Sequence, residues 1–298
     1  MSIVIGTNKS SLLAANYLSE NQTQLSNTLS SLSSGSRLTN PSTDSGGLAV
    51  SMQLTATANR DSALINTIAN AQSFLQTQNG ALQVATSIVD RISQLVTMSK
   101  DVTLTTTNTS NYNTEFSQLQ SELATIIGAQ YNGISLFSTS TSAPSAPSTS
   151  LSVLSTNDLS TSNAISIAQL SLGSISTSGG IGYLAGGANS TTNGITFTPG
   201  VNYSSLTSIT SSDITSFVNT IATFAATNGA EQSRLNFASQ LATNDRTSLQ
   251  SANSSISDTD IAQATTALAK WNVLVQAGTS MLTQANNSAQ TVLKLITG

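Results

Sequence analysis

Cysteine and histidine are both missing from this chain of 298 residues. Without cysteine there can be no disulfide, no thiol nucleophile and no thiolate metal ligand. Without histidine the chain lacks the commonest general base and the commonest metal ligand. Aromatic residues make up only 4% and charged residues only 7%. The net charge of −4 rests on few groups, and no basic residue falls between positions 101 and 233. That leaves no footprint for nucleic acid. No run approaches the ~20 apolar residues of a membrane span, so no membrane insertion is expected. The opening Met1-Ser2-Ile3-Val4-Ile5-Gly6 has no basic n-region and no full apolar segment. It predicts no standard secretory signal peptide, and composition alone points to the cytoplasm.

What is present is periodicity. Hydrophobic residues are 38% of the chain, mostly aliphatic, which suits thin helical layers better than a thick core. An apolar stripe steps by three and four through Ile261, Ala264, Leu268, Trp271, Val275, Gly278, Leu282, Ala285, Ala289, Val292 and Ile296. The mean step of 3.5 is that of a helix keeping one seam against a partner helix. The other end answers with Ala15, Leu18, Gln22, Leu25, Leu29 and Leu32. Further stripes run from Leu64 to Val96, from Phe116 to Ile126 and from Leu235 to Ile256. All five lie towards the two ends of the chain, which favours a long coiled-coil-like rod.

These stripes predict helices over about 8–33, 48–100 and 114–130, the last returning antiparallel. The second would span about 80 Å at 1.5 Å per residue. Gly35, Pro41, Gly46 and Gly47 break the chain between the first two. Thr103 to Asn113, β-branched and Asn-rich, reads as a turn. Asn132-Gly133 is a tight-turn signal. From Ser138 to about Ser212 the helical period is lost. Residues 152–154 and 165–170 read as short strands flanking Asn157-Asp158, and Ile195 to Thr198 as another. Helix resumes near Asp213 and runs to Ile296 with a break near Asp258. The expected fold is mainly α: a long antiparallel helical rod from both chain ends, with a small β-rich surface module in the middle.

Several motifs resemble one family in order and spacing. They are Leu32-Ser33-Ser34-Gly35-Ser36-Arg37-Leu38, Asp44-Ser45-Gly46-Gly47-Leu48-Ala49, and Gln130-Tyr131-Asn132-Gly133-Ile134. Towards the C-terminus follow Ser233-Arg234-Leu235-Asn236-Phe237, Ile256-Ser257-Asp258-Thr259-Asp260-Ile261-Ala262, and Gln276-Ala277-Gly278-Thr279-Ser280-Met281-Leu282. Together they resemble bacterial flagellin over about 1–138 and 213–298. The resemblance implies an inner polymerisation coiled coil from 1–40 with 260–298. It implies a helical rod with a β-hairpin from 46–170 with 213–256, and a variable exposed segment at 171–212. It further implies a self-polymerising filament subunit for motility, exported unfolded through the flagellum's own channel and lying outside the cell. Partners would be identical subunits, an export chaperone, and the cap and hook-junction proteins.

On that reading the polymerisation seam comprises Leu18, Leu25, Leu29, Leu32, Leu268, Trp271, Val275, Leu282, Val292 and Ile296. A hook–filament junction protein of the same superfamily is the alternative, and the segment from Gln276 to Leu282 favours flagellin proper. An enzymatic insert is a third reading. The nearest carboxylate pair, Asp258 and Asp260, would point to different helix faces, and at a helix break such residues read as caps. No catalytic residue, metal site or cofactor is expected. In many flagellins a Leu-x-Arg-Val-Arg-Glu-Leu run is read by a vertebrate Toll-like receptor. Here the matching run is Val89-Asp90-Arg91-Ile92-Ser93-Gln94-Leu95, so Arg91, Ser93, Gln94 and Leu95 form a candidate receptor or lateral contact in which two of the charges are lost.

Overall fold

The computed structural model describes residues 8–137, 150–156, 164–170, 191–192, 195–196 and 205–297. Long helices come from both ends: α1 (Lys9–Ser34), α2 (Ser45–Ser99) and α3 (Thr106–Ile127) before the middle, α4 (Ser211–Ser257) and α5 (Ile261–Thr297) after it. Between them lie β1 (Gln130–Tyr131), β2 (Ile134–Ser135), β3 (Ser150–Leu154), β4 (Ala164–Ala168), β5 (Thr191–Thr192) and β6 (Ile195–Thr196). These strands pair in sequence order into three two-stranded antiparallel sheets. The chain divides into two compact units, Met1–Ala58 with Thr247–Gly298, and Asn59–Arg246.

Local chemistry sets the helix ends. The Asn8 side chain accepts from Ser11 N at 3.1 Å, and Gly35 closes α1 in the left-handed conformation at φ 70°. Asp44 caps α2 by accepting from Gly47 N at 2.7 Å. A Cβ on Gly47 would collide with that carboxylate, so the tight cap requires glycine there. Helix α3 begins earlier than expected. The turn ends at Thr105, whose hydroxyl caps Asn108 N, and Thr106 to Asn113 are already helical. Their weak helix propensity is overridden by packing. Tyr112 lies against the core, and Asn113 Oδ1 accepts from Leu206 N at 3.0 Å.

The second unit holds the core. Ile68, Leu75, Leu82, Ile92 and Leu95 of α2 are fully buried with Phe116, Leu123 and Ile127 of α3 and Phe217 and Leu235 of α4. The β1–β2 hairpin turns through Asn132 (φ 52°) and Gly133 (φ 80°), two left-handed residues that match the strands' twist. The strands expected around Asn157-Asp158 form β3 and β4, with Leu151 opposite Ile167 and Val153 opposite Ile165. Leu170 lies beyond β4 and bridges to Phe137 instead. Ile195 and Thr196 form β6, and Thr198 falls outside the described residues.

A buried polar cluster ties these short strands to the helices. Gln78 Nε2 donates to Leu136 O at 2.8 Å, and Asn228 Nδ2 donates to Gln78 Oε1 at 2.7 Å. Glu231 Oε1 accepts from Ala168 N at 2.9 Å, while its Oε2 is buried without a hydrogen-bond partner. Desolvation raises the Glu231 pKa above its ordinary value, against the opposing pull of the Ala168 N–H and of Arg234. The folded chain therefore holds this proton more tightly than the unfolded chain does. Stability falls as pH rises from the unfolded pKa through the folded one, and stays lower above it. Glu231→Gln keeps an acceptor for Ala168 N and removes the charge. It should raise the melting temperature at pH 7 by a few degrees (about 2–4 °C per kcal/mol for a domain of this size). The gain should vanish in calorimetry below the ordinary glutamate pKa.

Candidate assembly interface

In the first unit α1 and α5 run antiparallel. Asn8 Nδ2 donates to Ala285 O at 2.9 Å, and Ser11 Oγ donates to Asn286 Oδ1 at 2.8 Å. Further along, the Cβ that Gly278 lacks would lie 3.2 Å from Leu18 Cδ1. Glycine at this point of the stripe lets the two helices approach closely. On α5 the partly covered face comprises Ala267, Leu268, Trp271, Leu274, Val275, Gly278, Leu282 and Ala285, so it takes in Ala267 and Leu274 beside the residues of the stripe. Lys270 Nζ sits 4.8 Å from the centre of the Trp271 ring. Ile261, the first stripe residue, is 53% exposed. The side chains of Ala289, Val292 and Ile296 lie outside the described residues.

On α1 the covered face is Ser11, Ala14, Ala15, Leu18, Asn21, Leu25, Thr28, Ser31 and Leu32. It shares Leu18, Leu25 and Leu32 with the sequence stripe but uses Asn21 and Thr28 where the pattern had Gln22 and Leu29. Leu29 turns away from α5 and is 48% exposed. A three-four alternation admits two overlapping series through the same leucines, and apolar character alone selects the wrong intermediate at these steps.

This pairing leaves the helices unfinished. No residue of α1 is buried, and of the described α5 side chains only Ala264 is. Leu12, Leu13 and Tyr17 on α1 and Val273 and Met281 on α5 are more than half exposed. A period search misses these residues because it rewards one stripe per helix. Their signal is a second apolar group on the same helix.

The turns flanking this pair are stitched together. Arg37 N donates to Ser257 O at 2.8 Å, Thr259 N donates to Gly35 O at 2.9 Å, and Arg37 Nε donates to Ile256 O. Asp260 Oδ1 caps α5 by accepting from Ala262 N and Gln263 N. Asp258 lies in the antiparallel bridge with Ser36. That bridge is made by backbone, and the Asp258 carboxylate accepts from Ser257 Oγ at 3.0 Å, so of the two carboxylates it is that of Asp260 that caps the helix after the break. Among the described residues no group of acidic side chains is arranged to hold a metal, and no helix is long and apolar enough to cross a membrane.

The run on α2 is divided. Arg91 is exposed, with Nε donating to Glu115 Oε1 at 2.6 Å and Nη1 to Gln94 Oε1 at 3.1 Å. The Glu115 hydrogen bond and charge raise its pKa further. Ser93 is half-buried. Leu95 is completely buried in the core, so it belongs to no surface contact of the folded unit. It follows the 3.6 period of the core face, which its place in a receptor-like run concealed.

Residues 5–142 match the bacterial flagellin N-terminal helical region, and residues 212–296 match the bacterial flagellin C-terminal helical region. The chain belongs to the bacterial flagellin family. The Listeria innocua flagellin is 29% identical over 306 aligned residues, covering 98% of this chain and 99% of that protein. The flagellar filament 30.7 kDa core protein of Treponema maltophilum is 29% identical over 298 residues, covering 99% and 100%. Flagellin A of Vibrio cholerae is 32% identical over 123 residues, 41% of this chain and 32% of that protein. The flagellin regions include both the α1–α5 pair and the stitched turns. Gly278 offers a direct test of that pair. Gly278→Ala should still assemble, because Leu18 Cδ1 is a flexible tip and alanine adds about 1 kcal/mol of helix propensity. Gly278→Val should force the helices apart and raise the critical concentration at least tenfold in a sedimentation assay.

Proposed function

We propose that this flagellin chain is a structural subunit that polymerises with identical copies into the flagellar filament and serves swimming motility. The observation that carries this is the unfinished pair: α1 buries nothing, while both helices keep large apolar side chains in water. Burying apolar surface is worth about 25 cal/mol per Å², and a helical polymer supplies that burial through repeated contacts between copies. The seam of Leu18, Leu25, Leu32, Leu268, Trp271, Val275 and Leu282, extended by Val292 and Ile296, holds the inner layer together. Leu29, turned outward, meets a neighbouring subunit. In this reading 1–40 with 260–298 polymerise, 46–170 with 213–256 form the rod, and 171–212 is the variable exposed part. The mechanism is binding, without bond-making chemistry. The hook–filament junction reading is less well supported, since the C-terminal flagellin match extends to residue 296. Location in the extracellular filament, export without a cleaved signal, and dealings with a chaperone, cap and hook-junction proteins are carried over from the family.

The terminal helices should be poorly ordered in the free subunit and helical in the filament, because ordering them is repaid only on assembly. Leu282→Asp places a charge in the seam at a cost of several kcal/mol. It should abolish filaments in electron micrographs of seeded samples while the circular dichroism of the second unit is retained. Normal filaments from this variant would overturn the seam.

The exposed part of the Arg91 run carries a separate expectation. Arg91 is already engaged by Glu115 and Gln94, and Ser93 and Gln94 stand where many flagellins have Arg and Glu. Two lost charge-assisted contacts correspond to about 1 kcal/mol or more, roughly tenfold in affinity. This monomer should activate the vertebrate flagellin receptor weakly in a reporter assay, and Ser93→Arg with Gln94→Glu should raise the signal.

A further inference from the structure

The loop between α2 and α3 presents an apolar side chain with nothing around it. Val102 is 98% exposed. Its backbone is nevertheless held in shape, because Asp101 Oδ1 accepts from both Thr103 N and Thr103 Oγ1 at 2.9 Å. The Asp101 carboxylate is thereby turned back onto its own loop. The exposed cation beside Val102 is Lys100, whose Nζ reaches Ile209 O at 3.4 Å. A fixed turn that offers a branched apolar tip beside a cation is shaped as a knob.

The same unit has a depression of about 250 Å³ near the other end of its stretch of α2. Leu64, Leu241 and Ala242 form its apolar wall; the Asp245 carboxylate is exposed beside it, whereas Asp61 in the lining is buried. Leu241 is 51% exposed, and Phe237, one helical turn before it, is 70% exposed. Residues four apart share a helix face, so the two make one apolar lip. The Thr156 hydroxyl in the lining is buried without a hydrogen-bond partner. Leu64 and Lys100 are separated by about 55 Å along α2 at 1.5 Å per residue. A single copy therefore cannot insert its own knob into its own depression.

We propose that the Asp101–Leu104 turn of one copy seats in this depression of a second copy, Val102 entering between Leu64 and Leu241 while Lys100 faces Asp245. This rests on the filament-subunit reading and gives it a specific head-to-tail contact. The match is one of charge as well as shape, a cation beside the apolar tip against the exposed Asp245 carboxylate beside the apolar wall. A contact joining two different surfaces of identical copies does not close on itself. It propagates an open helical filament, whereas a self-complementary patch would stop at a dimer.

Three sets of variants test it on the full chain. Val102→Asp should leave the monomer's melting temperature unchanged, since the side chain touches nothing, yet raise the critical concentration for seeded growth at least tenfold. Lys100→Glu and Asp245→Lys should each weaken growth, and the double exchange should restore it. Because the chain has no cysteine, Val102→Cys with Leu241→Cys gives a clean cross-link, possible only between copies. Oxidised filaments of that double variant should run on a denaturing gel as a ladder of covalent multimers, which a self-complementary contact could not produce. If unmodified protein fails to polymerise on seeds, the filament reading itself falls. If it polymerises and Val102→Asp does so equally well, or cross-linking gives no ladder, this contact is overturned.

Discussion

Everything in the first unit depends on one contact between the two ends of the chain, the antiparallel approach of α1 to α5. It is a thin contact. Two long helices can share only one face each, and here that face is built mostly from Leu, Ala, Val, Ser, Asn, Thr and a glycine, with Trp271 its one large aromatic side chain. The close approach at Gly278 and Leu18 draws the backbones together but leaves little apolar volume between them. Such a pair has a defined register and little stability of its own. The second unit is the reverse case. It adds α3 and five buried phenylalanines to the same two-helix theme, and closes a core in which Leu75, Leu82 and Leu123 lose essentially all exposure.

Charge is distributed to match. Lys9, Arg37, Lys270 and Lys294 in the first unit are balanced by Glu20, Asp44, Asp258 and Asp260, so the net −4 belongs to the second. Where other helices carry ion pairs, these carry hydroxyls. Thr23, Thr28 and Ser31 of α1 each return a hydrogen bond to the carbonyl four residues back. That satisfies the polar atom locally and leaves the helix surface smooth, small and nearly uncharged. Helices of this kind pack at close range without the desolvation penalty of buried charges.

The helices were legible in the sequence because each long stripe is a sum of many small preferences. The break at Asp258, the hairpin at Asn132-Gly133 and the strands around Asn157-Asp158 were legible because turn chemistry is local. Three things were not. Helix α3 begins at Thr106, eight residues before the start read from its stripe, because tertiary bonds such as Asn113 to Leu206 outweigh the poor propensity of a Thr/Asn run. The covered face of α1 passes through Asn21 and Thr28, since helix rotation is decided by the partner and not by the hydrophobic count. Val102 carried no signal at all, as one valine in a turn has no period, and its meaning lies only in being wholly uncovered.

The stitched turns have a consequence for the order of events in folding. Gly35, Ser36 and Arg37 find their partners at Ile256 to Thr259, more than two hundred residues later, and Asn8 finds Ala285 later still. Closing such a loop is entropically costly, and contacts of this span form late. No shortened or partly emerged chain can complete them, because half of every bond is missing. The first unit is in effect a check on completeness. Only a chain in which α5 has been delivered can register α1 against it, so a copy cut short before α5 cannot form this unit at all.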